Sequence, residues 1–251
     1  MELQPLLLLF GFLAGAVDAI AGGGGLIQLP ALFILQPQLP LGAILGCNKL
    51  SSFSGTTYAL FHYNKKLDIR WHYLYGGIAT AFLGSFIGAR AALLLNKDAF
   101  TPYIIIALFV VFIYSFFKSE THAAKIQSHT RPYIMAIFCF AIGFYDGCIG
   151  PGTGSFLIAG LLLLLPFTFI EASAHSKVIN LSTNMAALAL FISMGAIAWS
   201  VAIPLAVSNV AGSIVGSRWA VKKGNRWVRI VFRIVTAGLL CKMIYNYSRV
   251  F

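Results

Sequence analysis

Charged residues are scarce in this sequence, and acidic residues are the scarcest. Asp, Glu, Lys and Arg make up 10% of the 251 residues, and only 7 are acidic. A soluble domain carries about 25% charged residues, so this composition excludes a soluble globular protein. Most of the 18 basic residues fall in short loops between apolar runs. Cytoplasmic loops of membrane proteins collect Lys and Arg in this way, so the net charge of +11 does not indicate a nucleic-acid partner.

Cysteine and catalytic motifs are also sparse. The four Cys residues show no CxxC spacing, which argues against a disulfide framework or a zinc site. The stretches "GGGG" and "GPGTGS" are not followed by GK[ST], so they do not predict a nucleotide-binding loop. With no Ser/His/Asp constellation in the sequence, we expect no cofactor, no metal and no enzyme. The N-terminus lacks the basic region of a cleavable signal peptide.

Apolar runs make up most of the chain, which is 59% hydrophobic with a mean hydropathy of +0.85. Runs of about 20 residues, long enough to cross a bilayer as a helix, recur along almost the whole length. The sequence therefore predicts an all-α, polytopic membrane protein with about eight full spans and two broken or re-entrant helical segments.

The first break is predicted inside the first apolar segment. An interior glycine costs a helix about 1 kcal/mol relative to alanine, so the run Gly22 to Gly25 should interrupt it. Leu26 to Leu35 then leaves only a half-length helix. The second break is predicted at "GPGTGS", which is again followed by a short apolar run.

The second half of the chain repeats the first. "GSFIGAR" at 84–90 matches "GSIVGSR" at 212–218 with an offset of 128 residues, and Lys49 matches Lys177 at the same offset. "GFLAG" at 11–15 matches "GFYDG" at 143–147 with an offset of 132, so we expect a four-residue deletion between the two regions. The predicted organisation is a first transmembrane repeat over 1–117, a cytoplasmic linker over 118–132 and a second repeat over 133–251.

Loop charge favours an inverted repeat. If each broken segment crosses the membrane once, the basic loops divide almost evenly between the two faces. If each re-enters as a hairpin, each half has an odd number of crossings and most basic loops share one face, which the positive-inside rule favours. We then expect cytoplasmic basic loops and extracytoplasmic termini in the inner or plasma membrane. The loops concerned hold Lys65, Lys66 and Arg70; Lys118, Lys125 and Arg131; and Lys222, Lys223 and Arg226.

Duplicated halves with interrupted helices point to a secondary transporter whose substrate binds at the interruptions. A lysine in mid-membrane costs about 2.5–3.5 kcal/mol, so paired lysines at equivalent positions suggest an anion site beside the positive ends of the half-helices. Each lysine could instead neutralise an internal carboxylate, and the neighbouring amides could simply bond between helices. The predicted substrate-binding residues are Lys49, Lys177, Asn48, His175, Asn180, Asn184, Gly22, Gly23, Gly24, Gly25, Gly152, Thr153, Gly154 and Ser155.

Three carboxylates lie within the apolar sequence. Asp18 and Asp146 are candidates for proton coupling, or else partners of the two lysines. In the alignment through the shared Gly-Phe pairs they are not equivalent residues. Glu171 completes a capping box that begins at Thr168, so we expect it to have a structural role.

The sequence resembles the sulfite exporter TauE/SafE family of membrane transporters. The stretches that carry the resemblance are "GFLAGAVDAIAGGGGLIQLPAL", "GCNKLSSFSGTTYA", "GFYDGCIGPGTGSFL" and "ASAHSKVINLSTNMAAL". The resemblance implies a multi-pass plasma-membrane transporter of small anions, among them sulfite, sulfonates and other sulfur-containing or organic anions. Cys47 stands where the family pattern implies a threonine.

The expected function is therefore secondary transport, with export as the direction, of a small anion by alternating access. The expected partners are this anion and the lipid bilayer, with a homo-oligomer left open. An anion channel, or a membrane-embedded enzyme or assembly factor, remains the alternative. Paired broken helices around a polar cavity would favour the transporter, whereas a dry, close-packed centre would favour a scaffold.

Overall fold

The computed structural model describes residues 5–64, 69–114, 132–223 and 226–248. Within these ranges the chain is all-α, as predicted, with ten α-helices, one short 3-10 turn at Trp71–Tyr73 and no strand. The linker predicted at 118–132 lies outside the described residues except for Pro132. The helices are α1 Pro5–Ala21, α2 Gly25–Leu35, α3 Leu41–Asn64, α4 Tyr75–Ala92, α5 Lys97–Tyr114, α6 Pro132–Cys148, α7 Thr153–Leu164, α8 Phe169–Ser193, α9 Trp199–Lys223 and α10 Arg226–Ser248.

The helices of the two halves correspond at one constant offset. α2 begins at Gly25 and α7 at Thr153, and α3 begins at Leu41 and α8 at Phe169. Both differences are 128 residues, the offset already seen for Lys49 and Lys177. The four-residue deletion predicted from the Gly-Phe pairs is therefore wrong. Short matches within apolar helices recur by chance, whereas helix starts fix the register.

Helices of the two halves pack closely against each other at glycines. α1 packs on α9, and α6 packs on α4. A Cβ added to Gly15 would overlap the carbonyl oxygen of Asn209, and one added to Gly143 would overlap that of Ala81. These two contacts are also related by the offset of 128. The small residues of both "GSxxGxR" motifs lie in the same interfaces and allow the close backbone approach that such residues permit between membrane helices.

Each broken segment turns back on itself. After α1 the chain reverses, so that a Cβ on Gly24 would lie 2.7 Å from Ala14 O, ten residues earlier. After α6 the Tyr145 hydroxyl donates to Pro151 O at 2.5 Å. Beyond α7, Phe167 joins the same apolar cluster as Met135 near the start of α6. The segments α1–α2 and α6–α7 are thus two helical hairpins with glycine turns.

The outer surface is rich in large apolar side chains. On α5, Ile106 and Phe109 are 60% and 54% exposed, and apolar surface of this kind marks contact with lipid or another protein. Among the described residues, one helix, at Trp199–Trp219, is both long and apolar enough to count as a membrane span by itself. Shorter apolar helices include α2, α6 and α7. The number of about eight full spans remains a prediction.

Candidate functional site

The two glycine turns are buried and lie against each other. Gly22, Gly150 and Gly152 have φ angles of 71°, 92° and 83°, a left-handed backbone that glycine adopts without strain. A Cβ on Gly22 would lie 2.5 Å from the Cα of Gly154, so the two backbones touch directly. The sequence predicted both interruptions, and the structure brings them together.

Two buried ion pairs flank these turns. Lys49 Nζ lies 2.7 Å from Asp146 Oδ2, with the two side chains 4% and 3% exposed. Lys177 Nζ lies 3.0 Å from Asp18 Oδ2, with the side chains 1% and 14% exposed. The Lys177 ammonium also donates to the backbone oxygen of Asp18. Each pair joins a lysine of one half to an aspartate of the other half.

The aspartates are equivalent residues, contrary to the alignment through Gly11 and Gly143. Asp18 and Asp146 differ by 128 positions, as the two lysines do. The Lys49–Asp146 pair is therefore the repeat equivalent of the Lys177–Asp18 pair. The sequence left two roles open for the lysines, an anion site or the neutralisation of internal carboxylates. In this conformation both lysines pair with carboxylates. Both ammonium groups are paired with a carboxylate here, so an anion that binds either one competes with its aspartate.

Asp18 also binds the first glycine turn and α3. Its Oδ1 accepts from the Gly24 N–H at 3.4 Å, and its Oδ2 accepts from the Thr56 hydroxyl at 3.2 Å. The residue equivalent to Thr56 is Asn184, whose amide nitrogen instead donates to Asn180 Oδ1 at 3.1 Å. The surroundings of the two carboxylates therefore differ although their lysine partners match.

A small polar cavity of about 20 Å³ lies at the glycine turns. This volume holds one or two water molecules. Ser52 and Gly150 line it and were missed by the sequence analysis, although Ser52 is the equivalent of Asn180 and lies one turn after Lys49. The predicted site residues that line the cavity are Asp18, Asp146, Lys49, Asn48, Asn180, Asn184, Gly22, Gly25, Gly152, Thr153 and Gly154.

The cavity lining, as far as the chain is described, does not include Lys177, His175, Gly23, Gly24 or Ser155. Lys177 lies behind Asp18. His175 Nε2 accepts the Arg70 N–H at 3.0 Å, which leaves the proton on Nδ1, 2.7 Å from Glu171 O. The helix explains this, because residues two apart lie about 200° around the axis. His175 therefore faces away from Lys177, while Asn180 and Asn184 share the lysine face.

A polar network behind the cavity was also missed. Gln28, which is fully buried, donates from Nε2 to Asn48 Oδ1 at 3.1 Å. Its Oε1 accepts from the Ser51 hydroxyl and the Asn209 amide, both at 2.9 Å. The network fixes the orientation of the Asn48 side chain at the cavity wall. The available signal was a single glutamine within the apolar run 26–35.

The predicted capping box of α8 is confirmed. The Thr168 hydroxyl accepts from the Glu171 N–H at 3.3 Å, and Glu171 Oε2 accepts from the Thr168 N–H at 2.8 Å. Glu171 also pairs with Arg70 at 3.1 Å. Both contacts lie at the start of the helix, so Glu171 belongs to its cap and not to the cavity.

Comparisons with known proteins agree along nearly the whole chain. The model of the family described as Sulfite exporter TauE/SafE matches residues 7–243. A Haemophilus influenzae protein named "Probable membrane transporter protein" is 31% identical over 98% of this chain and 96% of its own length. "Probable membrane transporter protein YfcA" of Escherichia coli is 32% identical over 97% and 91%, and YunE of Bacillus subtilis, similarly named, is 24% identical over 96% and 97%. No solved structure matches the chain.

Proposed function

Because this chain belongs to the sulfite exporter TauE/SafE family of membrane transporters, we propose that it exports a small anion across the cell membrane by alternating access. The proposed substrate is sulfite, a sulfonate or another sulfur-containing or organic anion. One observation carries the proposal: two glycine-broken hairpins meet around a polar cavity flanked by buried ion pairs. Secondary transporters bind substrate at such paired interruptions.

The proposal includes an inverted relation between the halves, and helix directions support it. At the start of α3, Cys47 Sγ donates to Ala198 O at 3.5 Å, just beyond the end of α8. At the start of α8, His175 binds the Arg70 N–H, beyond the end of α3. Thus α3 and α8 run antiparallel. Since they are equivalent helices, the halves they represent are inverted. With basic loops inside, the termini are extracytoplasmic.

In this proposal the anion enters the cavity at the starts of α2 and α7. Both helices present their N-terminal ends there, through Gly25 and Thr153, and helix N-termini favour anions. Asn48, Asn180 and the Ser52 hydroxyl supply hydrogen bonds. The cavity of about 20 Å³ has to widen for an ion of several heavy atoms, which alternating access provides.

The proposal includes proton coupling at the two aspartates. A proton that binds Asp146 removes the negative charge that neutralises Lys49, and the ammonium then becomes available to the anion. Asp18 and Lys177 offer the same exchange in the other pair. In this scheme a proton and an anion arrive together and leave together, so the site does not retain a net charge in the membrane interior.

The test is anion flux in vesicles that contain the purified, full-length protein. A thermal-stabilisation screen over sulfite, sulfate, thiosulfate, sulfonates and carboxylates selects the anion. Its flux should saturate with concentration, respond to a proton gradient, and fall in Lys49→Ala and Lys177→Ala. Lys242→Ala, which changes an exposed lysine, is the control. Wild-type flux in both of these lysine variants would show that the lysines do not belong to the site, and non-saturating flux would favour the channel.

A further inference from the structure

The two ion pairs lie at different depths in the bundle. Lys49 is eight residues from the start of α3 and Lys177 is eight residues from the start of α8, which is about 12 Å in each case. The two helices run in opposite directions, and α3 has 24 residues, or about 35 Å. Because the helices run in opposite directions, the two lysines lie towards opposite ends of the α3–α8 pair.

Residues that line the cavity follow both lysines along their helices. Ser52 follows Lys49 by three residues and Asn180 follows Lys177 by three residues, each step leading towards the middle of the bundle, and both line the cavity. Lys49 and Asp146 thus line the cavity on the side of the end where α3 begins. Asp18 also lines the cavity, and its partner Lys177 lies outside the lining, towards the opposite end of the bundle.

We propose that the two ion pairs are the two gates of the transport cycle and that they open one at a time. The inference rests on the proposed transport function and assigns to each pair the end of the bundle that it closes. Each gate ties one half of the protein to the other, because its lysine and its aspartate come from different repeats. Breaking one pair lets the halves separate at one end while the other pair holds them together at the other.

The energetics favour alternation. A buried charge that loses its partner is costly, so opening both pairs together would leave four uncompensated charges. One open pair can be compensated by an anion at its lysine together with a proton at its aspartate. The gates are also unequal. Asp18 binds Thr56 and the Gly24 N–H as well as its lysine, so the Lys177–Asp18 gate is linked to the glycine turn of the first hairpin.

Side-specific labelling tests the gates without requiring transport. The full-length protein, with Cys47, Cys139, Cys148 and Cys241 changed to alanine, carries Ser52→Cys as a reporter in the cavity. A membrane-impermeant methanethiosulfonate cation is added to one side of sealed vesicles. With Asp146→Asn we expect labelling several-fold faster from the side on which α3 begins. With Asp18→Asn we expect the same increase from the opposite side.

The controls separate gating from misfolding. Lys49→Gln breaks the same pair as Asp146→Asn and should open the same side, while the exchange Lys49→Asp with Asp146→Lys should restore slow labelling. Acceleration from the same side in both aspartate variants, or no acceleration in either folded variant, overturns the proposal. If the wild-type protein transports normally but the labelling gives either of these results, the gate proposal is refuted and the transport function is not. Correct side-specific labelling without any flux refutes the transport function and leaves the geometry of the two barriers intact.

Discussion

The contact between the two glycine turns gives the sharpest stability prediction. Gly154→Ala would place a Cβ 2.5 Å from the Gly22 carbonyl oxygen, and the obstacle is backbone that belongs to a left-handed turn. Overpacking of this kind costs about 1–3 kcal/mol, and we expect the upper end because no flexible side chain can move aside. Alanine recovers about 1 kcal/mol of helix propensity in α7. The expected net destabilisation is about 2 kcal/mol.

The measurement is thermal unfolding of the purified protein in detergent, together with anion flux. Gly238→Ala is the matched control, because Gly238 lies within α10 and a Cβ there meets nothing within 4 Å. The control should be unchanged or more stable by up to about 1 kcal/mol, with normal flux. If Gly154→Ala is as stable as Gly238→Ala and transports normally, the two turns do not touch as described.

Three further changes test separate parts of the structure by thermal unfolding. Thr168→Ala removes the capping box of α8 and should cost about 1 kcal/mol. Lys49→Met leaves Asp146 buried without its counter-ion, which should cost about 3–5 kcal/mol of stability. The double change Lys49→Met with Asp146→Leu should recover most of this stability, because no unpaired charge remains, but it should not restore flux. Gln28→Leu leaves the buried Asn48 amide with one partner fewer and should cost about 1–3 kcal/mol.

Exposed residues of the same types supply the controls for these changes. Thr57 is exposed and its hydroxyl bonds only within its own helix, to Phe53 O, among the contacts described, so Thr57→Ala should be close to neutral. Gln38→Ala changes an exposed glutamine and should cost less than Gln28→Leu. Equal losses in a control and its buried counterpart would show that the cap or the network does not carry the assigned energy.

Features with a local physical cause could be predicted from the sequence. The glycine breaks follow from backbone preference, and the structure ends α1 at Ala21 and begins α2 at Gly25, around the predicted interruption. The capping box at Thr168 follows from a four-residue pattern. The family assignment follows from long motifs and agrees with the match over residues 7–243.

Pairing of the aspartates with the lysines was one of the alternatives left open, but which lysine pairs with which aspartate could not be predicted, because it depends on how helices distant in sequence pack. Lys49 and Asp146 are 97 residues apart, and Lys177 and Asp18 are 159 apart. One signal was available: both aspartates and both lysines obey the offset of 128. The chance match of Gly-Phe pairs concealed it. His175 was misplaced for a simpler reason: it was grouped with Asn180 and Asn184 at helical spacing around Lys177, but residues two apart do not share a helix face.

The two halves carry the same residues in the ion pairs but different residues in the polar network around Gln28. This difference suggests how the two hairpins differ during transport. At the offset of 128, Gln28 corresponds to Phe156 and Asn209 to Ala81. The α2 arm of the first hairpin is therefore held to α3 and α9 by directed hydrogen bonds, whereas α7 offers an aromatic ring at the equivalent position. Apolar contacts are non-directional, so they tolerate sliding better than hydrogen bonds do. Our hypothesis is that α7 moves more than α2 during opening, and slower hydrogen exchange in α7 than in α2 would contradict it.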